Sequence, residues 1–231
     1  MTRLDSDLPS IMKNRCGGRP SREQAGMRQQ LMLDMAERAF LRLGYSGASL
    51  DNIARDAGVA KKTLYEHFGD KAGLFAAVVD RLRKVWVDGV RNIMIEAPDP
   101  CVALYGVALH LLDVGTRDDM IEWHRLTVNE ARRFPEIFNS VYDERGVCVD
   151  MMVLSNYLRT AVENGVLEFD DVELAAEQFS FMVLGGIRTR ILRGVSVRPD
   201  IKTREHMAKQ AVQTFLKGSV SQSAVKSWKC S

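Results

Sequence analysis

The sequence predicts an all-α fold in two parts, a small N-terminal three-helix unit followed by a larger helical domain, with about nine helices in 231 residues. Apolar residues recur at three- and four-residue steps through most of the chain, which is the period of a helix with one buried face. Glycine, proline or an N-capping residue stands at most of the expected helix ends. No segment shows the alternation of apolar and polar residues that a strand requires.

The expected helices follow from these signals in order. Gly44, Gly58 and Gly165 would each end a helix, and Ser49 and the pair Asp170-Asp171 would each begin one. The predicted helices span about 27–43, 50–57, 61–68, 71–97, 101–114, 118–133, 135–164, 172–193 and 200–218. The predicted divisions of the chain are a basic arm at 1–24, a domain of three helices at 25–70, a larger helical domain at 71–218 and a tail at 219–231.

The composition is that of a globular protein with a sizeable core, since 46% of the residues are hydrophobic and 27% are charged. No run of about 18 apolar residues occurs, so we expect no membrane span. The four cysteines are far apart, which excludes a C-x-x-C motif and fits a cytoplasmic protein. The net charge of +2 does not indicate a nucleic-acid partner by itself, so that case depends on where the charges lie.

The most informative stretch is GVAKKTLYEHFGDKAGLF, residues 58–75, in which a short polar helix directly follows a glycine turn. Leu64 and Phe68 are four residues apart and would pack inward on one face. Two short helices joined by such a turn form a helix-turn-helix, whose second helix enters the major groove of DNA. The alternative is that the polar residues are solvated side chains of a surface helix. The polar residues that could contact DNA are Lys61, Lys62, Thr63, Tyr65 and His67, with Lys71 at the start of the next helix.

The run from Leu33 to Phe75 resembles the DNA-binding domain of TetR/AcrR-type transcriptional regulators. The resemblance is carried by Ala36, Phe40, Gly44-Tyr45, Ser49, Ile53-Ala54, Ala57-Gly58-Val59, Thr63-Leu64-Tyr65, His67-Phe68, Lys71 and Leu74-Phe75. It implies a homodimer that binds double-stranded operator DNA through three N-terminal helices. It also implies base contacts mainly from Lys61 and Lys62, and phosphate contacts from Ser49, Thr63, Tyr65, His67 and Lys71.

Two features near this helix remain open. Glu66 would place a negative charge near DNA, either as a discriminating contact or as a solvated side chain. The arm at 1–24 carries several basic residues and is either a disordered terminus or an arm that lies along DNA.

The larger domain resembles the C-terminal domain of AcrR- and AefR-like members through the stretches TVNEARRFPEIFNSVYDE and ENGVLEFDDVELAAEQF. The resemblance implies that the helices at about 147–164 and 172–192 pair with their symmetry mates. The second of these helices is apolar on two sides, which predicts burial on two faces, either in a dimer or within a monomer. The expected dimer contacts are Leu154, Leu158, Leu174, Phe181, Leu184 and Ile191.

A small-molecule effector would bind between the helices at 71–95, 101–114, 118–133 and 135–164, where apolar and aromatic side chains accompany a few polar groups. For each of these side chains, ordinary core packing is the alternative. Trp123 and His124 are adjacent in a helix, so we expect at most one of them to face a cavity. The predicted lining is Tyr105, His110, Trp123, His124, Leu126, Phe134, Phe138 and Met152.

The sequence does not favour an enzyme. It contains no P-loop, G-x-G-x-x-G, G-x-S-x-G or H-E-x-x-H motif, and its four histidines are dispersed, so we expect no metal and no cofactor. The leading hypothesis is a repressor that a small molecule releases from DNA. The alternatives are a regulator that responds to no ligand, and an enzyme or carrier with an incidental helix-turn-helix.

Overall fold

The computed structural model describes residues 22–97, 99–135 and 151–217, and these parts of the chain are helical with no strand. The predicted arm up to residue 21, Phe138 and the tail from 218 lie outside the described residues. None of the helices in the described ranges is long and apolar enough to cross a membrane. The helices are α1 Arg22–Gly47, α2 Leu50–Asp56, α3 Lys61–Phe68, α4 Lys71–Glu96, α5 Pro100–Gly115, α6 Asp118–Ala131, α7 Met151–Glu163, α8 Val172–Ser180, α9 Gly186–Leu192 and α10 Ile201–Lys217, with a π-helical turn at Phe181–Gly185 between α8 and α9.

Several helix boundaries differ from the prediction. The first helix begins at Arg22, inside the predicted arm, because glutamate, glutamine and arginine at its start favour a helix. Gly44 has a φ of 72° and kinks α1 where a stop was predicted, and one more turn follows it. The helix predicted at 135–164 is described only from Met151, and it ends as expected before Gly165, whose φ is 69°. The helix predicted at 172–193 is interrupted by the π-helical turn.

The N-terminal helices α1 to α3 enclose an aromatic core with the first turns of α4. The rings of Phe40 and Phe75 are 5.1 Å apart and edge-on, and Tyr45 stands 5.3 Å from Phe75. Trp123 and Leu126 of α6 complete this core. The larger domain therefore contributes side chains to the interior of the N-terminal domain.

The larger domain is built around α5, which is apolar on almost every side and buried along its length. It packs against α4 and α10. The helix α4 belongs to both parts, since Leu74 and Val78 lie in the N-terminal core, whereas Trp86 and Val90 lie in the core around α5. The two cores are thus joined by one continuous helix of 26 residues.

Candidate nucleic-acid interface and ligand cavity

In the helix-turn-helix, α3 is an exposed helix with one buried side chain, that of Leu64. Gly58, with a φ of 66°, turns the chain between α2 and α3. Leu64 is buried in the N-terminal core, while Lys61, Lys62, Tyr65 and His67 are exposed and Thr63 is half-buried. Five of the predicted DNA-binding residues therefore share the outer surface of one short helix.

The two lysines of α3 differ in what they contact. The Nζ of Lys61 lies 2.6 Å from Oδ1 of Asp51 on α2, and this hydrogen bond raises the pKa of Lys61. The Nζ of Lys62 is 3.6 Å from Oε1 of Glu66, and the side chain is 85% exposed. Exposed pairs of this kind are worth little in water, so both ammonium groups can exchange a carboxylate for DNA. Lys62 is the less constrained of the two.

Ser49 occupies the N-cap position of α2, as predicted, with φ −117° and ψ 128°. Its hydroxyl makes no capping hydrogen bond to the helix. An N-cap serine whose hydroxyl leaves the first amides uncapped is compatible with the phosphate contact that the family resemblance implies.

The contacts of Lys71 differ from its expected role as a phosphate donor. Its Nζ donates to the backbone oxygens of Ser46 and Ala48, at 3.3 Å each, and lies 4.8 Å from the ring centre of Tyr45. An ammonium group has three donors, so two of them are engaged inside the domain. Lys71 ties the start of α4 to the connection between α1 and α2, and sequence spacing alone could not reveal this contact across more than twenty residues.

We expect Lys71→Met to lower the free energy of unfolding by about 1 kcal/mol, because it removes two hydrogen bonds from a charged donor and a cation–π contact. Urea unfolding followed by circular dichroism measures this loss. Lys84→Met, at an exposed site on the same helix, is the matched control. A variant with unchanged stability whose DNA binding depends less steeply on salt would instead support the phosphate role.

A cavity of about 250 Å³ lies in the larger domain between α4, α5, α6, the first residue of α7 and the segment from α8 to α9. Most of its wall is apolar, with Trp86 and Trp123 as the largest side chains. The indole N–H groups of both tryptophans are buried and have no acceptor among the described residues. The lining is Val79, Leu82, Arg83, Trp86, Leu111, Gly115, Met120, Trp123, His124, Thr127, Met151, Glu177, Ser180, Phe181, Leu184 and Arg188.

Among the predicted lining residues that the structure describes, only Trp123 and His124 line this cavity. The expectation that at most one of them would face it was wrong, because the large indole reaches the cavity as well as the N-terminal core. Leu126 and Phe134 pack in the N-terminal core instead. Tyr105 packs against the core of the larger domain, and Met152 is exposed.

His110 has a structural role in place of the predicted ligand contact. Its Nε2 lies 3.1 Å from the backbone oxygen of Trp86. The ring fills the space above Gly89, where an added Cβ would stand 2.2 Å from the imidazole Cε1. The glycine therefore lets α4 and α5 approach with the histidine between them.

The polar residues of the lining were not predicted from the sequence. Arg83, Thr127, Glu177, Ser180 and Arg188 all border the cavity. Four lining residues are spaced by three or four along the chain and therefore share one face of a helix: Glu177, Ser180, Leu184 and Arg188. This spacing can be read from the sequence. Their meeting with α6 depends on how the helices pack, which periodicity does not give.

Burial and the nearby positive charge of Arg188 lower the pKa of His124 to about 4 from the ordinary 6.5. The imidazole is therefore neutral at neutral pH. It offers one N–H donor and one acceptor at the cavity wall.

We expect the protein to lose stability as the pH falls from 6.5 to 4, because the unfolded chain then binds a proton that folded His124 does not accept. The variant His124→Gln should lose less than the wild type over this interval. Thermal unfolding at pH 7 and pH 4.5 measures the difference. His206→Gln changes an exposed histidine of α10 and should retain the wild-type pH dependence; equal profiles for all three proteins would contradict the assignment.

Comparison with protein families shows which family the chain belongs to. A model of the tetR family of bacterial regulatory proteins matches residues 32–78, and a model of the AefR-like transcriptional repressor C-terminal domain matches residues 102–218. The chain belongs to the tetR family of bacterial regulatory proteins and has a C-terminal domain of the AefR-like type. The resemblance inferred from the helix-turn-helix residues is thus confirmed, as is the all-α fold.

Individual relatives agree with this placement. The HTH-type transcriptional activator FasR of Mycolicibacterium smegmatis is 40% identical over 86 residues, which are 37% of this chain and 38% of FasR. The chain therefore spans well under half of that relative. A crystal structure of a TetR-family regulator from Mesorhizobium loti has a TM-score of 0.71 at 26% identity, covering 84% of this chain and 96% of that one. The flavonoid-responsive regulator FrrA has a TM-score of 0.64 at 29% identity, covering 83% and 96%.

Proposed function

We propose that this chain is a cytoplasmic homodimeric transcriptional regulator, a repressor whose affinity for operator DNA falls when a small molecule occupies the cavity. One observation carries the proposal. Trp123 lines the cavity and also packs in the core of the helix-turn-helix domain, with its ring centre 5.5 Å from that of Phe75. A molecule that displaces Trp123 therefore acts on the helices that would hold DNA.

The DNA-binding part of the proposal rests on the exposed polar surface of α3. In a dimer the two copies of α3 would enter successive major grooves, with half-sites about 34–36 Å apart when they are one turn apart. Ligand binding can lower DNA affinity only if the ligand prefers an arrangement of the helices with a different spacing. The helix α4 and the side chains of α6 are the physical connections between cavity and α3.

Dimerisation is supported by apolar side chains left exposed on the segment from α8 to α9. Leu174, Phe181 and Met182 are all exposed, and Phe181 is 60% so. We propose that these residues, together with the half-buried Ile191, pair with a second copy. Leu154, Leu158 and Leu184 do not fit that role, because all three are buried in the core of their own protomer. An apolar stripe identifies a buried face but does not say what buries it.

Repression is favoured over activation by the AefR-like repressor description of the domain that matches residues 102–218. Activation is the second candidate, because FasR, the relative with 40% identity over 86 residues, is named an activator. A reporter gene placed behind the operator separates the two. Loss of the protein raises expression if it represses and lowers expression if it activates.

The test of the proposal is fluorescence anisotropy with DNA from upstream of the protein's own gene, compared with scrambled DNA of equal length across a salt series. The expected result is tight binding to the native fragment that saturates at two chains per site. Equal and steeply salt-dependent binding to both fragments would contradict sequence-specific regulation at that site, because phosphate attraction alone produces it.

A further inference from the structure

Two charged side chains of the cavity lie far apart along one helical segment. Glu177 and Arg188 both border the cavity and are eleven residues apart in the segment from α8 to α9. At 1.5 Å per residue this separation is about 16.5 Å along the helix axis. The carboxylate and the guanidinium therefore mark opposite ends of the lining contributed by this segment.

The end that carries Arg188 is the one next to His124, since α9 packs against α6 and both side chains border the cavity. A guanidinium has five N–H donors and stays protonated, so it can hold a ligand oxygen in addition to its partners in the protein. Beside it, the neutral imidazole of His124 offers one further N–H donor at the cavity wall. These two side chains make the end of the cavity with Arg188 the anion-binding position.

The apolar part of the lining favours a ligand with a largely apolar body. Leu82, Trp86, Leu111, Trp123 and Leu184 form apolar walls. The volume of about 250 Å³ is slightly below the roughly 300–1,000 Å³ typical of small-molecule sites, which suits a compact molecule. Glu177 at the far end would repel a second negative charge.

We propose that the effector is a compact apolar organic monoanion, with its negatively charged group held by Arg188 beside His124 and its apolar body between Trp86 and Trp123. This inference rests on the proposed ligand-binding function and gives the chemical class of the ligand. It assigns Arg188, which no sequence motif indicated, as the residue that determines specificity.

A matched pair of fluorescent probes tests the charge requirement. 8-Anilinonaphthalene-1-sulfonate and N-phenyl-1-naphthylamine share one ring skeleton and differ by the sulfonate. Energy transfer from tryptophan reports binding near Trp86 and Trp123. We expect the anionic probe to saturate at one per chain, and Arg188→Gln to weaken it about tenfold or more, as for the loss of a charge-assisted hydrogen bond. The same substitution should change the dissociation constant of the neutral probe by less than about twofold.

Two control variants separate a specific contact from other effects. Arg190→Gln removes the same charge from an exposed position two residues away and should leave both probes unchanged. Arg188→Lys retains a cation and should keep part of the preference for the anion. Unchanged thermal unfolding and circular dichroism show that each variant is folded.

The outcomes distinguish this inference from the function on which it rests. Equal losses for both probes in Arg188→Gln, or equal losses in Arg190→Gln, would overturn the monoanion inference while the neutral probe still reports a binding cavity. Failure of both probes to saturate at one per chain in the wild type would overturn the ligand-binding part of the proposed function as well.

Discussion

Replacing Phe40 by alanine is expected to destabilise the protein by about 3–5 kcal/mol, the usual range for a phenylalanine deleted from a well-packed core. The side chain is fully buried in the N-terminal core. Its ring contacts those of Phe75 edge-on at 5.1 Å and of Tyr45 stacked at 5.9 Å, and Trp123 stands 6.5 Å away. The cavity left by the substitution would therefore open at the centre of an aromatic cluster.

Urea unfolding followed by the helical circular dichroism signal measures this loss. Leu43→Ala is the control, because Leu43 is on the same helix but 44% exposed, and it should lose less than about 1 kcal/mol. Similar losses in the two variants would contradict the burial of Phe40. Since Leu64 of α3 packs in the same core, Phe40→Ala should also weaken DNA binding without touching DNA.

Lys62→Ala is expected to reduce the affinity for operator DNA by about 30-fold or more, because a dimer would lose two contacts of about 1–3 kcal/mol each to base edges. Binding to scrambled DNA should fall much less. The reason lies in the position of Lys62, which is the more exposed of the two lysines of α3 and has only an exposed pair with Glu66 to give up. Anisotropy titrations on both DNA fragments at one fixed salt concentration measure the two affinities.

Lys209→Ala provides the control for net charge, since it removes a lysine from an exposed position on α10 in the larger domain. It should leave the ratio of specific to non-specific affinity unchanged. A Lys62 variant that loses affinity equally on both fragments would refute the role of this lysine in reading bases. In that case the lysine would contact phosphate only.

The helices that would meet DNA could be predicted from the sequence because their signals are local. Gly58 permits the turn, and the four-residue spacing of Leu64 and Phe68 defines the inner face of α3. The polar residues of α3 are then left on its outer surface. Periodicity in about eleven residues is enough to specify this arrangement.

The cavity could not be predicted in the same way, because its lining comes from segments distant in the chain. Trp123 and Arg188 are 65 residues apart, and only the packing of α6 against α9 brings their helices together. Hydrophobic pattern also fails to distinguish a protomer core from a partner surface, which is why Leu154 and Leu158 were assigned to a dimer contact. The hydrogen bonds of Lys71 to Ser46 and Ala48 could not be predicted either, because they join residues distant in the chain.

The π-helical turn at Phe181–Gly185 bears on how far a ligand class can be transferred between related sequences. A residue added to an α-helix rotates everything after it by about 100°, whereas a π turn holds about one residue more than an α turn and so absorbs the added residue without that rotation. Arg188 lies beyond this turn, so its direction toward α6 depends on the extra residue being held in a π turn. A homologue with the same number of residues between Glu177 and Arg188 but a regular α turn would present the guanidinium to a different neighbour. The conformation of this turn, and not the arginine alone, is the criterion for sharing the proposed anion site.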